Sequence, residues 1–473
     1  MLLNLIVGAT LAVAQIRMGT RPVPTKQNMN YFFVLGNNPT LSIAEISALQ
    51  SGGYALAADN VLILTTEQKI NCVQTINRLG GTIKIGLISA KLDNANFTKI
   101  YSNILPLFNK INSSGKFNFG ISDYNIKKLN KQKLGLELKK YLKNKGISSR
   151  WVTSREPTLS SVVVEQNKLI NKGLELVLVG RGQKILIGQT LAVQPFKQLS
   201  FRDYGRPSRD DLSGMLPPKL AQIMINLAIP PLLAPSIAGT KGPACHCEAR
   251  AGRVGGILGS NNSITILDPF CGSGTILTEA MLITQFLPLD KGEINPVRND
   301  ISNGVKRGWH LIGSDISEKA IHDTKTNIAW INNNFQLKIT NYELFNKDTK
   351  QLSRFIKPNS IDAIITEPYL GPQRGKVKIN EVVRELNNLY SQSLAEFAKV
   401  LKPNGQVVMV WPVFHITPNA QHLMPNINGF KIINPIPKNL QQDKRIKLTS
   451  RNTIIYGRNQ QKVWREIVVL KKI

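Results

Sequence analysis

The apolar positions from residue 29 onward fall into short runs that alternate with segments of helical spacing. Compact apolar runs predict strands at 31–36, 61–64, 83–88, 116–124, 174–180 and 184–192. Apolar residues three and four apart predict helices over 41–50 and over 131–145, where Leu134, Leu138, Tyr141 and Leu142 share one face. This part of the chain is therefore expected to form two small α/β units.

Strands and helices also alternate in the second half of the chain. Apolar runs predict strands at 264–267 (ITIL), 309–317, 336–340 (QLKIT), 361–366 (IDAIIT) and 406–414. A long helix is predicted over 381–401, followed by a KPNG turn, and the chain closes with an antiparallel hairpin over 453–472. Strands that alternate with helices are typical of a parallel sheet, so the fold class is α/β with a Rossmann-like second half.

A length of 473 residues predicts more than one domain. We assign 1–28 to an extension outside the fold, 29–110 to an N-terminal α/β domain, 111–195 to a second α/β domain, 196–225 to a linker and lead-in helix, and 226–473 to the Rossmann-like domain. Two polar, glycine-rich stretches, 234–262 and 290–308, are predicted to be disordered insertions.

The charge is strongly basic, with 60 Lys and Arg against 30 Asp and Glu. Ten of the basic residues and one acid, Glu137, lie between Lys127 and Arg155. A surface of this kind indicates a nucleic-acid partner that is bound through its phosphates, although a basic surface kept for solubility is the alternative.

The termini and cysteines indicate the compartment. Residues 1–14 are apolar but lack a preceding positive charge and are too short to span a bilayer, so secretion is the less favoured interpretation and no membrane partner is expected. Four unevenly spaced cysteines do not suit a disulfide framework, which favours the cytoplasm. The adjacent Cys245, His246 and Cys247 cannot readily form a tetrahedral site, so no metal is predicted.

Candidate chemistry begins where the strand at 264–267 ends. The segment DPFCGSGT (268–275) places an acid before a glycine-rich turn and a helix that begins near Thr275. Glycines allow close approach of a ligand to the backbone, and the start of a helix offers unpaired N–H groups. No lysine follows the glycines, which disfavours a triphosphate-binding loop.

Acids also follow the next strands. Asp315 ends the second strand, where a carboxylate can accept hydrogen bonds from ribose hydroxyls, or cap the helix that follows. Asp348 lies a few residues beyond the third strand and could meet an adenine amino group, and Glu367, Pro368 and Tyr369 follow the fourth.

The series DPFCGSGT, GSDIS (313–317) and EPYLG (367–371) resembles the motifs of class I S-adenosylmethionine-dependent methyltransferases that modify exocyclic amines. Residues 201–228 resemble the lead-in of the tRNA guanine-10 N2-methyltransferase family, which carries an RNA-binding THUMP domain. That family's layout implies a THUMP-like domain at 111–195, a tRNA partner and S-adenosylmethionine as cofactor, with no metal; it leaves open whether a small partner subunit is needed. The implied cofactor-binding residues are Asp268, Pro269, Phe270, Gly272, Gly274, Thr275, Asp315, Ile316 and Asp348.

The fourth motif departs from the family's pattern of Asp or Asn, two prolines and an aromatic residue. Thr366, Glu367, Pro368 and Tyr369 stand there instead. Aligned without a gap, Thr366 takes the place of the acid; with one proline deleted, Glu367 does. We favour Glu367 because a carboxylate is the stronger acceptor for an amine's hydrogens, and we expect Tyr369 to stack on the target base.

Overall fold

The computed structural model describes residues 28–93, 96–109, 111, 115–126, 129–209, 215–229, 264–285, 309–372, 378–416, 419–457 and 461–473. Residues 1–27 of the predicted extension lie outside the described residues. Both predicted insertions, 234–262 and 290–308, also lie outside them, and so do Cys245, His246 and Cys247. Of the helices in the described part, none combines the length and apolar character needed to cross a membrane.

The N-terminal elements follow the predicted apolar runs and add several more. The strands are β1 (Met29–Leu35), β2 (Gly53–Ala58), β3 (Val61–Thr66), β4 (Thr82–Asp93), β5 (Phe117–Tyr124), β6 (Ser149–Val152), β7 (Gly173–Arg181) and β8 (Lys184–Val193). The helices are α1 (Pro39–Leu49), α2 (Cys72–Arg78), α3 (Phe97–Asn109), α4 (Lys131–Asn144) and α5 (Ser161–Gln166). The predicted helix over 131–145 is thus confirmed as α4, with Leu134, Leu138 and Leu142 buried.

The predicted division between 29–110 and 111–195 does not separate two sheets. One sheet of the described residues runs in the order β2-β3-β1-β4-β8-β7-β5-β6, and its two halves join where β4 pairs antiparallel with β8. Buried Lys84 of β4 bonds Glu175 of β7 across this junction at 2.5 Å. Helix α3 packs with the second half, since Ile104 and Phe108 share a core with Phe119. The boundary between the two halves along the chain therefore lies between β4 and α3, and the two halves form one continuous sheet.

The C-terminal half of the chain is also built from alternating strands and helices. After the lead-in helices α6 (Phe196–Tyr204) and α7 (Pro218–Ala228) come α8 (Thr275–Thr284), α9 (Glu318–Asn334) and α10 (Ile379–Val400). The strands are β9 (Ile264–Asp268), β10 (Trp309–Asp315), β11 (Tyr342–Asn346), β12 (Ile361–Thr366), β13 (Leu401–Ile416), β14 (Asn419–His422), β15 (Phe430–Ile432), β16 (Ile454–Tyr456) and β17 (Val463–Lys472).

The second sheet runs in the order β11-β10-β9-β12-β13-β17-β15. Strands β9 to β13 are parallel, whereas β17 is antiparallel to β13 and also pairs with β16, which confirms the predicted closing hairpin. The strand order reverses between β9 and β12, and open α/β sheets bind ligands at such a point, beyond the carboxyl ends of the strands. This edge holds the candidate site.

One predicted strand in this half is wrong. The third strand is Tyr342–Asn346 and not QLKIT, because α9 ends at Asn334 and Gln336 turns the chain with a φ of +52°. The predicted KPNG turn falls within the bounds of β13, but the pairing with β12 passes from Leu401 directly to Gln406, and Asn404 has a φ of +61°. The four residues therefore form a local turn that interrupts the long strand.

The first α/β unit shares its core with the C-terminal half of the chain. Leu41 and Ile43 of α1 belong to the same buried cluster as Met224 of α7 and the strands of the second sheet. Buried Glu45 accepts hydrogen bonds at 2.8 Å from the backbone N–H groups of Gly80 and Gly81, and from Nδ2 of Asn226 on α7. Residues 29–93 are therefore packed as part of the body that carries the candidate site.

Candidate active site

Strands β9 and β12 are tied together at their carboxyl ends. Ile266 and Leu267 of β9 pair with Ala363 and Ile364 of β12. One residue further along β9, Asp268 accepts a 2.8 Å hydrogen bond from the hydroxyl of Thr366, and both side chains are buried. The Thr366 hydroxyl thus points toward β9 and is engaged in a hydrogen bond with Asp268.

Burial raises the pKa of the Asp268 carboxyl to about 7. Hydrogen bonds from Thr366 and from the Phe270 N–H lower that pKa, and the nearby charges of Asp315 and Glu367 raise it. Several carboxyl groups thus meet at this edge of the sheet, which is a common feature of functional sites.

The glycine-rich turn after β9 has the backbone that only glycine adopts easily. Gly272 and Gly274 have φ values of +51° and +80°, and Gly274 caps the start of α8. A side chain added at Gly272 would meet nothing within 4 Å, so the turn leaves open space there. Thr324 of α9 donates to the Gly272 carbonyl at 2.7 Å and holds the turn in place.

Asp315 lies at the tip of β10 and contacts the same turn. Its Oδ2 accepts a 3.0 Å hydrogen bond from the Gly272 N–H, and its Oδ1 accepts one of 2.9 Å from Ser317 N–H. The helix cap of α9 is Ser317, whose side chain accepts from Ala320, so Asp315 is not the N-cap. A carboxylate has about four acceptor positions, so Asp315 retains capacity for hydroxyl groups. The side chain of Ile316 beside it is 73% exposed.

Asp348 lies two residues beyond the end of β11. It caps the short 3₁₀ helix Thr349–Arg354 by accepting from the Lys350 N–H at 2.9 Å, and it also lies 3.3 Å from the Lys350 ammonium. The structure therefore brings it to the predicted edge with its carboxylate already engaged by Lys350.

The three residues that follow β12 lie in different environments. Pro368 is buried, whereas Tyr369 is 55% exposed, and its backbone carbonyl accepts a 2.9 Å hydrogen bond from Tyr390 of α10. Glu367 is bound by Arg465 of β17 through Nε at 2.5 Å and Nη2 at 3.4 Å. A largely buried carboxylate and an exposed aromatic ring thus lie beside each other, past the end of the strand.

Arginines in the lead-in segment hold the first helix of the sheet and were not singled out from the sequence. Arg202 forms a buried pair with Glu279 of α8 at 2.7 and 3.1 Å. Arg206 donates to the Thr275 hydroxyl at 2.6 Å, at the first residue of α8. Nothing in the local pattern of FRDYGRPSRDD identifies these partners, because they lie about 70 residues away along the chain.

The arrangement suits a ligand with hydroxyl groups and an amine more than it suits a metal. No group of three or more His, Cys, Asp or Glu side chains with metal-binding geometry occurs among the residues that the structure describes. Asp315 and Glu367 instead offer separate acceptors along one edge, beside an open glycine turn. Such acceptors bind and orient N–H and O–H groups.

Comparison with known proteins agrees with this geometry. Residues 257–426 match the model of the UPF0020 family, described as an RMKL-like methyltransferase domain. This region is therefore similar to a methyltransferase domain, and the described parallel sheet confirms the Rossmann-like α/β fold predicted from the sequence. No curated protein matches the chain.

Solved structures resemble the chain at low identity. TrmN from Thermus thermophilus is 15% identical, with 94% of this chain and 100% of that chain covered at a TM-score of 0.46. A predicted N6-adenine-specific DNA methylase from Listeria monocytogenes is 13% identical, with 81% and 89% covered and a TM-score of 0.38. An rRNA methylase from Streptococcus thermophilus is 15% identical, with 45% and 89% covered and a TM-score of 0.24. Likeness at this level does not identify a substrate.

Proposed function

We propose that this protein transfers a methyl group from S-adenosylmethionine to the exocyclic N2 amine of a guanosine in tRNA, at position 10. The observation that carries the proposal is the position of Glu367, Pro368 and Tyr369 at the carboxyl end of β12, beside the glycine turn of the methyltransferase domain. The choice of guanosine and of position 10 rests on the resemblance of residues 201–228 and the three motifs to the guanine-10 N2 family.

The residues at the edge fit the cofactor. The open space beside Gly272 accepts the approach of a ligand, and Asp315 retains acceptor positions for ribose hydroxyls. Asp348 would accept a hydrogen bond from the adenine amino group with the acceptor positions that Lys350 does not use. When bound, S-adenosylmethionine supplies a sulfonium-bound methyl group whose bonding electrons stay on the departing sulfur.

Glu367 and Tyr369 would act on the target base. An exocyclic amine is a weak nucleophile because its lone pair is delocalised into the ring, so it must be oriented. The Glu367 carboxylate and a backbone carbonyl beside Pro368 would accept hydrogen bonds from the amine's N–H groups. These hydrogen bonds would direct the amine's lone pair toward the methyl group. The exposed Tyr369 ring would stack on the base after it leaves its neighbours.

The N-terminal half would bind the RNA, with 111–195 as the THUMP-like part. Helix α4 buries Leu134, Leu138 and Leu142 and leaves Lys139, Lys140 and Lys143 exposed. Exposed lysines on one helix face contact phosphates, and the continuous N-terminal sheet would hold that face at a set distance from the catalytic edge. We place the reaction in the cytoplasm, which agrees with the buried free thiols of Cys72 and Cys271.

Mass spectrometry of nucleosides tests the proposal. Full-length protein is incubated with tRNA, ribosomal RNA or DNA and with methyl-labelled S-adenosylmethionine, and the digested nucleosides are separated. We expect labelled N2-methylguanosine from tRNA that carries guanosine at position 10. We expect the label to be lost when that residue is changed to adenosine. Label in N6-methyladenine or in ribosomal guanosine would assign another target, and no label in any substrate would indicate an inactive RNA-binding protein.

A further inference from the structure

We propose that Arg465 is a positioning residue that holds Glu367 in the orientation needed to accept the hydrogens of the target amine. This inference rests on the proposed function. It concerns a residue of the last strand, 98 positions away from Glu367 along the chain.

The contact between the two side chains is a fork. Nε and Nη2 of Arg465 donate to the two different carboxylate oxygens of Glu367, at 2.5 and 3.4 Å. The side chains are only 11% and 10% exposed. A planar guanidinium that grips both oxygens restricts the rotation of a carboxylate in a way that a single donor cannot.

The fork leaves acceptor capacity on Glu367. A carboxylate has about four acceptor positions, and Arg465 uses two of them. The two N–H groups of an exocyclic amine, or one of them together with a neighbouring ring N–H, can use the others. Pairing with Arg465 is therefore compatible with the role proposed for Glu367.

The pair lies where the substrate would enter. Arg465 is opposite Pro412 of β13, whereas the last residue of β12, Thr366, is opposite Met409, so the pair lies beyond the end of β12. Arg465 Nη2 also donates to the Met215 carbonyl at 3.5 Å, which links the pair to the lead-in segment. Residues of three separate segments thus meet at the Arg465 guanidinium, which contacts both Glu367 and Met215.

The electrostatics support the same role. Burial lowers the pKa of Arg465, but the Glu367 carboxylate together with Tyr456 more than offsets this effect and the pKa is raised. Asp268 lies in the same site, and the Glu367 charge raises the pKa of its carboxyl. Because acids gather here, a cation beside Glu367 offsets the repulsion among the neighbouring carboxyl groups.

The same strand offers a matched control. Glu466, the next residue, is completely buried and is bound by Arg451 at 2.5 and 2.7 Å. Successive side chains of a strand point to opposite faces, so this second Arg–Glu pair faces away from Glu367. Its loss reports on stability without touching the proposed acceptor.

Single-turnover methyl transfer with saturating tRNA and S-adenosylmethionine tests the proposal on the full chain. Arg465→Met should lower the rate about a hundredfold, the scale for loss of one preorganised polar interaction at a reacting centre. Cofactor affinity by calorimetry should stay unchanged. The rate of Arg465→Lys should be about tenfold higher than that of Arg465→Met, since lysine restores the charge but not the two-pronged contact. Glu466→Gln should lower the melting temperature and leave the rate of the folded protein unchanged.

A double-mutant cycle separates positioning from stability. If Arg465 acts through Glu367, then Glu367→Ala should cause a loss of less than about threefold in the Arg465→Met background, because coupled residues are not additive. Full multiplication of the two losses, or an Arg465→Met rate within threefold of the wild type, would overturn the proposal. Arg465→Met leaves Glu367 as an unpaired charge, which could prevent folding. In that case the double variant Glu367→Gln, Arg465→Met, which lacks this charge, takes the place of Arg465→Met and is compared with Glu367→Gln alone. An inactive wild-type protein would instead overturn the proposed function, and the positioning role with it.

Discussion

Thr366 donates its hydroxyl hydrogen to Asp268 over 2.8 Å, and neither side chain is accessible at the sheet edge. The bond joins the ends of β9 and β12, the two strands between which the strand order reverses. It also removes the Thr366 hydroxyl from contact with an incoming base. Of the two alignments of the fourth motif, the geometry thus favours the one in which Glu367 takes the place of the acid.

The two alignments predict opposite rankings of variants. We expect Glu367→Ala to lower the single-turnover rate of methyl transfer about a hundredfold, because the amine loses a preorganised acceptor. Thr366→Val, which keeps the shape of the side chain, should lower the rate by only a few fold. Cofactor affinity, measured by calorimetry, is the control and should be similar in both. A larger loss in Thr366→Val than in Glu367→Ala would show that the ungapped alignment is correct.

The burial of Asp268 predicts a pH dependence of stability. Its folded-state pKa of about 7 lies above the ordinary value of 3.8, so the folded protein holds this proton more tightly than the unfolded chain does. The associated stability is complete below about pH 4 and is lost as the pH rises through 7. Asp268→Asn lacks this titration, so its stability relative to the wild type should increase by on the order of 2 kcal/mol between pH 5 and 7.

Chemical denaturation at pH 5, 7 and 8 measures this difference. Burial also raises the pKa of Glu45 to about 7, but Glu45 titrates in both proteins and cancels in the comparison. An identical difference at all three pH values would mean that Asp268 is ionised throughout the range.

Asp315 and Asp348 should contribute unequally to cofactor binding. Asp315→Ala removes acceptors beside the open glycine turn, and we expect it to weaken S-adenosylmethionine binding by about 1 to 3 kcal/mol. Asp348→Ala should have a smaller effect, since that carboxylate is already bonded to Lys350. Isothermal calorimetry on the full chain compares the two, and unchanged affinity in both variants would move the cofactor site elsewhere.

The exposed lysines of α4 should set the salt dependence of tRNA binding. Changing Lys139, Lys140 and Lys143 to Gln removes three charges, so the slope of log K against log salt should fall by roughly one for each lysine that contacts a phosphate. The substitutions should leave cofactor affinity unchanged. As a control, Lys319 and Lys325 of α9 are exposed lysines outside the N-terminal sheet, and their replacement by Gln should change the slope less. An undiminished slope in the α4 variant would place the RNA on another surface.

Local pattern alone was sufficient for the elements that carry the site. β9, β10 and β12 are largely buried on both faces and therefore appear in the sequence as mainly apolar runs, each ending in its acid or followed by the EPYLG segment. Parallel strands bring their carboxyl ends to one edge, so Asp268, Asp315 and Glu367 could be placed together before any coordinates were known. The position of β11 could not be predicted in this way, because 336–340 and 342–346 are both short mixed segments and only pairing with β10 distinguishes them.

Tertiary structure decided which partner each of these side chains has. The contacts at the site join residues that are about 70 to 100 positions apart along the chain. They are the pair of Arg465 with Glu367, the contacts of Arg202 and Arg206 with α8, and the hydrogen bond from Thr366 to Asp268. The same holds for residues 29–93, whose helix α1 packs on α7 and shares a hydrophobic core with the second sheet. Periodicity reports which face of an element is buried, but it carries no information on what covers that face, since apolar burial is not directional.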